Sequence, residues 1–388
     1  MPDQTDIAAA LQPLRHWLFE DACPLWCIKG IDRVNGGAFD RLSFTLQPTG
    51  SVKRTRVQAR QIYALLEAGR LAGTNRWRVE ADIVYEFLTS ACRRPDGSYC
   101  YYISLDGRHQ DDSRNNYDQA FVLFALAHYY KATGKREAVG YANDLLDYLT
   151  HRRKHPAYGF HENDRGTDGM LANPHMHYLE AMLVWSTVSD EPVWLEMAEE
   201  LVRLAAHKLI DPVSGGIREY FDESWEPVAG KRGRILEPGH QFEWATLLDL
   251  YCKARPDAAP TLAGAIDRLY ALATDHGVGP NGIHIHSEID TSFSVVKSDA
   301  RCWPYTERLR AALMMATRHP ENRSLYEAHA LQAVAGLWRY LSAPMPGLWH
   351  DWIAFDGTVT QEDAPASSLY HIVGAITALD HAVRGKVG

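Results

Sequence analysis

One short pattern recurs six times along the chain: a glycine, aromatic or apolar residues, then a charged turn. It reads GGAFDRLSFTLQPTG from Gly36, GSYCYYISLDGRHQ from Gly97 and YGFHENDRGTDG from Tyr158. It continues as GGIREYFDESWEP from Gly215, NGIHIHSEIDTSF from Asn281 and PGLWHDWIAFDGTV from Pro346. Alternation with Asp-Gly or Pro-Gly turns predicts short hairpins or extended loops. With Gly37, Gly97, Gly159, Gly216, Gly282 and Gly347 as markers, the spacings are 60, 62, 57, 66 and 65 residues. A period this regular points to one supersecondary unit repeated.

Each interval holds two amphipathic segments, such as Tyr117 to Lys131 and Glu137 to Thr150. The first of each pair is the more apolar and is predicted to be inner. The second carries more charge on one face, as in Pro192 to Leu209, and is predicted to be outer. One outer-type helix precedes the first marker, giving six of each. Six helical hairpins that close on themselves predict an all-α fold, an (α/α)6 barrel with short hairpins or loops at one end. No Ser/Gly-rich linker or composition shift interrupts the chain, so residues 1–388 are expected to form a single domain. An open solenoid of helix pairs is the alternative, and it needs polar caps at both ends. The segment Ser367 to Arg384 is apolar and uncapped, which favours closure.

A formal charge of -9 and the lack of long basic runs argue against a nucleic-acid surface. The N-terminal stretch MPDQTDIAAALQPLRHWL lacks the plan of a signal peptide, and no apolar run approaches a membrane span. Six cysteines are scattered without CxxC spacing. They read as reduced packing residues of a cytoplasmic protein. The expected partner is a small molecule rather than a nucleic acid or membrane, for a monomer or homodimer.

The inner helices carry polar residues near their starts: Arg60; Tyr117 and Asp118; His177 and Glu180; His240 and Glu243; Trp303 and Glu307; His371. Counted from the marker glycines, Arg60, Tyr117, His177, His240, Trp303 and His371 fall 23, 20, 18, 24, 21 and 24 residues on. All six are expected at one height, at the barrel mouth. A lone His on an apolar helix is ordinarily a satisfied core residue. Three at matching depth are harder to explain by packing, because burying several polar groups costs about 1–3 kcal/mol each unless they are paired. The aromatics Trp303, Tyr117, Tyr305, Trp349 and Trp352 suit either core filling or the apolar faces of a sugar. The two H-x-x-E pairs put both side chains on one helix face and could hold a divalent ion. Arg60 in the same ring argues against that, so each Glu is read as orienting its imidazole, with no cofactor expected.

The stretches QARQIYALLEAGRL, YDQAFVLFALAHYY, NPHMHYLEAML, PGHQFEWATLL, WPYTERLRAAL and LYHIVGAI resemble the N-acylglucosamine 2-epimerase superfamily, with its mannose isomerases, sulfoquinovose isomerase and cellobiose 2-epimerases. The resemblance spans essentially the whole chain. It implies an (α/α)6 barrel and cofactor-free acid/base chemistry beside a sugar aldehyde. It places the essential arginine at Arg60, the central histidine at His240 with Glu243 as its neighbour, and the C-terminal catalytic histidine at His371. His177 and Glu180 match the H-x-x-E of the isomerases and cellobiose epimerases rather than the N-acylglucosamine enzymes. Tyr117, Asp118, Trp303, Glu307 and Trp349 complete the expected substrate-binding set.

The first expectation is an aldose–ketose isomerase on an unphosphorylated hexose, mannose to fructose, with His240 as the C2 base and His371 opening the ring. The alternative is a 2-epimerase on glucose/mannose, a cellobiose-type disaccharide or N-acylglucosamine. A glycoside hydrolase on the same barrel needs two flanking carboxylates, and the histidine-rich ring suits it less well.

Overall fold

A computed structural model describes residues 6–108, 110–163, 169–360 and 362–387. The first five residues, residue 109 of the second glycine-marked segment and residues 164–168 of the third lie outside the described residues.

The inner helices are α3 (Thr55–Ala72), α5 (Asn116–Thr133), α7 (Ala172–Val188), α9 (Pro238–Ala254), α11 (Trp303–Arg318) and α13 (Leu369–Val387). Each packs on the next, and α13 packs back on α3, so the ring closes. The outer layer is α1 (Ile7–His16) continuing into α2 (Cys23–Lys29), then α4 (Arg78–Phe87), α6 (Glu137–Tyr148), α8 (Val193–Leu204), α10 (Ala259–Leu272) and α12 (Arg323–Leu341). The (α/α)6 barrel expected from the spacing is therefore the observed architecture. Its main hydrophobic cluster runs from Ile7 to Leu379, and Leu236, Leu272 and Ile289 form a small second one. Among the described residues no helix is long and apolar enough to cross a membrane.

Polarity sorts the two layers. Inner helices such as α5 and α7 are buried on nearly every side along their first four turns, whereas α8 shows the one-sided apolar face of a surface helix. Four outer helices, α4, α6, α8 and α10, widen into a π-helical turn at Leu88–Cys92, Leu149–Arg153, Ala205–Leu209 and Ala273–Gly277. Each turn feeds a marker loop. The marker glycines 37, 97, 159, 282 and 347 adopt φ between 64° and 85°. In the fourth repeat Gly215 takes that role instead of Gly216.

In five of the six repeats a residue shortly after the turn is held by the next inner helix. Ala38, Tyr99 and Ile217 each pair by an antiparallel bridge with the end of their own outer helix. Each also exchanges two hydrogen bonds with a side-chain amide of the next inner helix. These bonds measure 2.6 and 3.0 Å for Gln58, 2.9 and 2.8 Å for Gln119, and 2.7 and 2.9 Å for Gln241. In the third repeat His175 accepts from the Phe160 N–H at 3.0 Å, and in the fifth the Tyr305 hydroxyl accepts from Ile285 at 3.2 Å.

Short strands knit neighbouring loops together. The strand entering α3 pairs with the second hairpin, that entering α7 with the fourth and that entering α9 with the fifth. The strand entering α11 pairs with the sixth, and that entering α13 pairs with the first. These pairings follow the cyclic order of the helices over the N-terminal ends of the inner helices, and at the remaining junction the Asn116 side chain donates to the Phe160 and His161 carbonyls of the third loop.

Candidate active site

At that end the inner helices enclose a cavity of about 140 Å³, room for several water molecules or a small polar ligand. Arg60, Tyr117, His177, His240, Trp303 and His371, the six expected at one height, line it together with Glu243. Asn173, Glu237, Arg301, Ser367 and Ser368 also line it and were not anticipated.

Each histidine is held by a carboxylate at Nδ1, which places the proton there and turns the other ring nitrogen outward. His177 donates to Glu180 at 3.2 Å and His371 donates to Glu307 at 2.8 Å. His240 departs from expectation. Its partner is Glu219 at 3.0 Å, with Glu237 at 3.6 Å, rather than Glu243 on its own helix. Glu219 and Glu237 stand on the segments leading into α7's paired strand and α9, outside the helical H-x-x-E pattern that the sequence displays.

The surroundings set opposite charges. Burial pushes His177 and His371 down to about 4 against the pull of their carboxylates, so both are neutral at neutral pH. Burial also acts on His240, but the charges of Glu219 and Glu237 prevail and hold it at about 10, an imidazolium. Burial, then the carboxylates Glu307 and Glu180, push Glu243 far up, and neither of its oxygens has a hydrogen-bond partner. Glu243 is thus a neutral carboxylic acid able to donate to a ligand hydroxyl. Trp303 lies between His240 and His371, with ring centroids 4.9 and 5.6 Å away. Arg60 donates to Tyr117 Oη and to the Ser367 carbonyl, leaving its Nε unpartnered.

Several expected residues do other work. Asp118 is buried beneath the loops, accepts from the Arg56 N–H at 2.9 Å and pairs with its guanidinium. Trp349 is buried in the core against Trp17 and Trp26. The Tyr305 hydroxyl anchors Ile285. Trp352 supports Arg301, whose guanidinium lies 5.0 Å from its ring centroid. Glu180 and Glu307 sit behind the histidines rather than at the cavity wall.

Three His/Glu groups bring ligand atoms within 4.8 Å of one another: His177 with Glu180 and Glu243, Glu219 with Glu237 and His240, and Glu243 with Glu307 and His371. As donor sets they fit a cation poorly. Glu243 is protonated, His240 carries its own charge, and Glu180 and Glu307 face Arg310.

The family model for N-acylglucosamine 2-epimerase (GlcNAc 2-epimerase) matches residues 37–375. The chain is 37% identical over 384 residues to a protein of Rhizobium meliloti (strain 1021) named mannose-6-phosphate isomerase, covering 98% of this chain and 99% of that one. It is 26% identical over 287 residues to the D-mannose isomerase of Thermobifida fusca, covering 64% of this chain and 69% of that one. Among solved structures, cellobiose 2-epimerase from Bacillus thermoamylovorans B4167 superposes with a TM-score of 0.84 at 20% identity, covering 96% of this chain and 99% of that one.

Proposed function

The chain belongs to the N-acylglucosamine 2-epimerase family, and from that premise we propose that it interconverts D-mannose and D-fructose. Sugar isomerisation or epimerisation is its class of chemistry. The observation that carries the narrower reading is one small cavity in which a protonated and a neutral histidine flank Trp303 beside Arg60.

The charges support an order of steps that reverses the division of labour expected from sequence. His240, as imidazolium, gives its proton to the ring oxygen as the C1–O5 bond breaks, and takes up the proton of the C1 hydroxyl as the aldehyde forms, which restores its charge. His371, neutral, takes the C2 proton through its outward nitrogen, and Glu307 supports the imidazolium so formed. The C2–H electron pair becomes the C1–C2 double bond of an enediolate, whose oxyanion Arg60 stabilises. The O2 proton passes to O1 as His371 returns its proton to C1, so that C2=O forms and the ketose results. Glu243 and Tyr117 grip hydroxyls.

An unphosphorylated sugar fits best. Among the described residues Arg60 makes no ion pair, but Arg301 is matched by Asp351 at 3.1 Å, and Glu237 and Glu219 stand close by. A phosphate dianion there would meet the carboxylates of Glu219 and Asp351, with Arg60 as its unpaired cation. The second neutral imidazole, His177, favours a second reading, a 2-epimerase with bases on two faces. The six buried free thiols suit a reducing, cytoplasmic setting.

Proton NMR in deuterated water decides the matter, with mannose, glucose, fructose, cellobiose, N-acetylglucosamine and mannose 6-phosphate offered separately. Mannose and fructose should interconvert with deuterium entering at the transferred position, and mannose should exceed its 6-phosphate in kcat/KM. Glucose from mannose without fructose would put the epimerase first.

A further inference from the structure

We propose that Arg310 is a positioning residue for proton transfer: entering from the far end of the barrel, its guanidinium ties Glu180 and Glu307 together and so fixes which nitrogen of His177 and His371 faces the sugar. The proposal rests on the proton-transfer reading above.

Arg310 lies on α11, one turn beyond Glu307 and away from the cavity mouth. Its Nη1 donates to Glu307 Oε2 at 2.8 Å, and its Nη2 stands 3.9 Å from Glu180 Oε1. The opposite oxygens of the same two carboxylates accept from the histidines, Glu307 Oε1 from His371 and Glu180 Oε2 from His177. One cation therefore backs two His–Glu pairs on α7, α11 and α13. Tyr370 completes the arrangement by donating to Glu180 at 2.5 Å.

Two buried carboxylates facing each other cannot both stay ionised without a counter-charge. Burial alone would raise Glu307, and the charge of Arg310 leads the effects that bring it down instead. Glu180 is lowered against burial by His177 and by Arg310. Glu243 from α9, neutral as argued, also faces Arg310, as do Tyr63 from α3 and Tyr370 from α13, which burial keeps protonated; Glu67 and Arg70 from α3, His128 and Lys131 from α5, Lys253 from α9 and His381 from α13 share the cavity on its far side. Arginine suits the task because its planar fork addresses two carboxylates at once, which an ammonium does not. Arg310 is 15% exposed, and that edge lines a separate cavity at the C-terminal ends of the inner helices, with Glu67, His128 and Lys131. It acts on the histidines from outside the substrate cavity.

The test pairs a pH profile with ¹⁵N NMR of histidine-labelled full-length enzyme, signals being assigned through His177→Asn and His371→Asn. In the wild type both rings should show the Nδ1–H tautomer at neutral pH. In Arg310→Met the dyads gain a proton more readily, so the acid limb of kcat/KM should rise by about one pH unit or more, and Nε2–H signals should appear. A folded Arg310→Met with unchanged limb and tautomers overturns the proposal. Should that variant not fold, Arg310→Lys decides: kcat should fall about tenfold or more with KM within about twofold, and wild-type kcat overturns it. The tautomer signals need no substrate, so they judge Arg310 even if no sugar tried is turned over.

Discussion

His240 and His371 show how identical side chains acquire opposite roles from their neighbours. Two carboxylates hold the first charged, while burial with a single carboxylate leaves the second neutral. His371→Asn should abolish exchange of the transferable sugar proton with deuterated water, a loss on the order of 10²–10⁴ in rate. His240→Asn should keep measurable exchange with fructose, which has the larger open-chain fraction, while losing turnover of ring-closed mannose. Exchange surviving in His371→Asn would transfer the base role to His177. The pH dependence has a determined sign. In the proposed mechanism His371 must be neutral to act, so kcat/KM should be lost as pH falls through about 4. His240 must be charged, so it is lost as pH rises through about 10. Stability follows the same linkage. A group raised from 6.5 to about 10 stabilises fully below 6.5 and loses that contribution as pH climbs to about 10. Wild-type Tm should therefore fall more steeply than that of His240→Asn across this window in a pH series of thermal melts.

The inner helix and its marker loop form one element through the glutamine clamps. Gln119→Leu would strand the N–H and C=O of buried Tyr99, at a cost of about 2–4 kcal/mol read from urea unfolding. Its effect on kcat at low temperature should be small, because Gln119 touches no cavity-lining side chain in its hydrogen bonds. Gln241→Leu should cost similar stability and activity as well, since Gln241 adjoins His240. This element repeats with a period the sequence displays, which is why the barrel, the loop end and the common height of Arg60, Tyr117, His177, His240, Trp303 and His371 could be read without coordinates. Helical spacing was a weaker guide to partners. It gave His177 to Glu180 correctly, but it offered Glu243 to His240, whose carboxylates arrive from neighbouring loop segments close only in three dimensions. Arg310 was missed because it lies a turn below the height at which site residues were sought. Asp118 and Trp349 were included because polarity or aromaticity near a marker does not reveal which way a side chain turns.

Closure of the whole molecule depends on joining the last repeat to the first, and Trp349 sits at that joint. Its ring stacks on Trp26 at 5.1 Å and meets Trp17 edge-on at 6.0 Å, fixing the sixth loop to the first outer helix. The Trp26 indole N–H donates to the Gly347 carbonyl at 3.2 Å, and a Cβ on Gly347 would meet the Asp21 backbone at 2.7 Å. The same seam carries Arg15 to Asp380 at 2.6 Å and the strand pair of the first hairpin with the entry to α13. α13 carries His371, so a loosened seam frees one cavity-lining histidine from the ring that holds the others. Trp349→Ala should then cost about 3–5 kcal/mol, the usual scale for emptying a buried tryptophan site. Well below its lowered Tm, however, kcat/KM for mannose should stay within about twofold of wild type, because Trp349 faces the core and not the cavity. Thermal melts and steady-state kinetics on the same preparation separate the two effects. A large rise in KM with little loss of Tm would return Trp349 to the sugar-binding surface and contradict its placement at the seam.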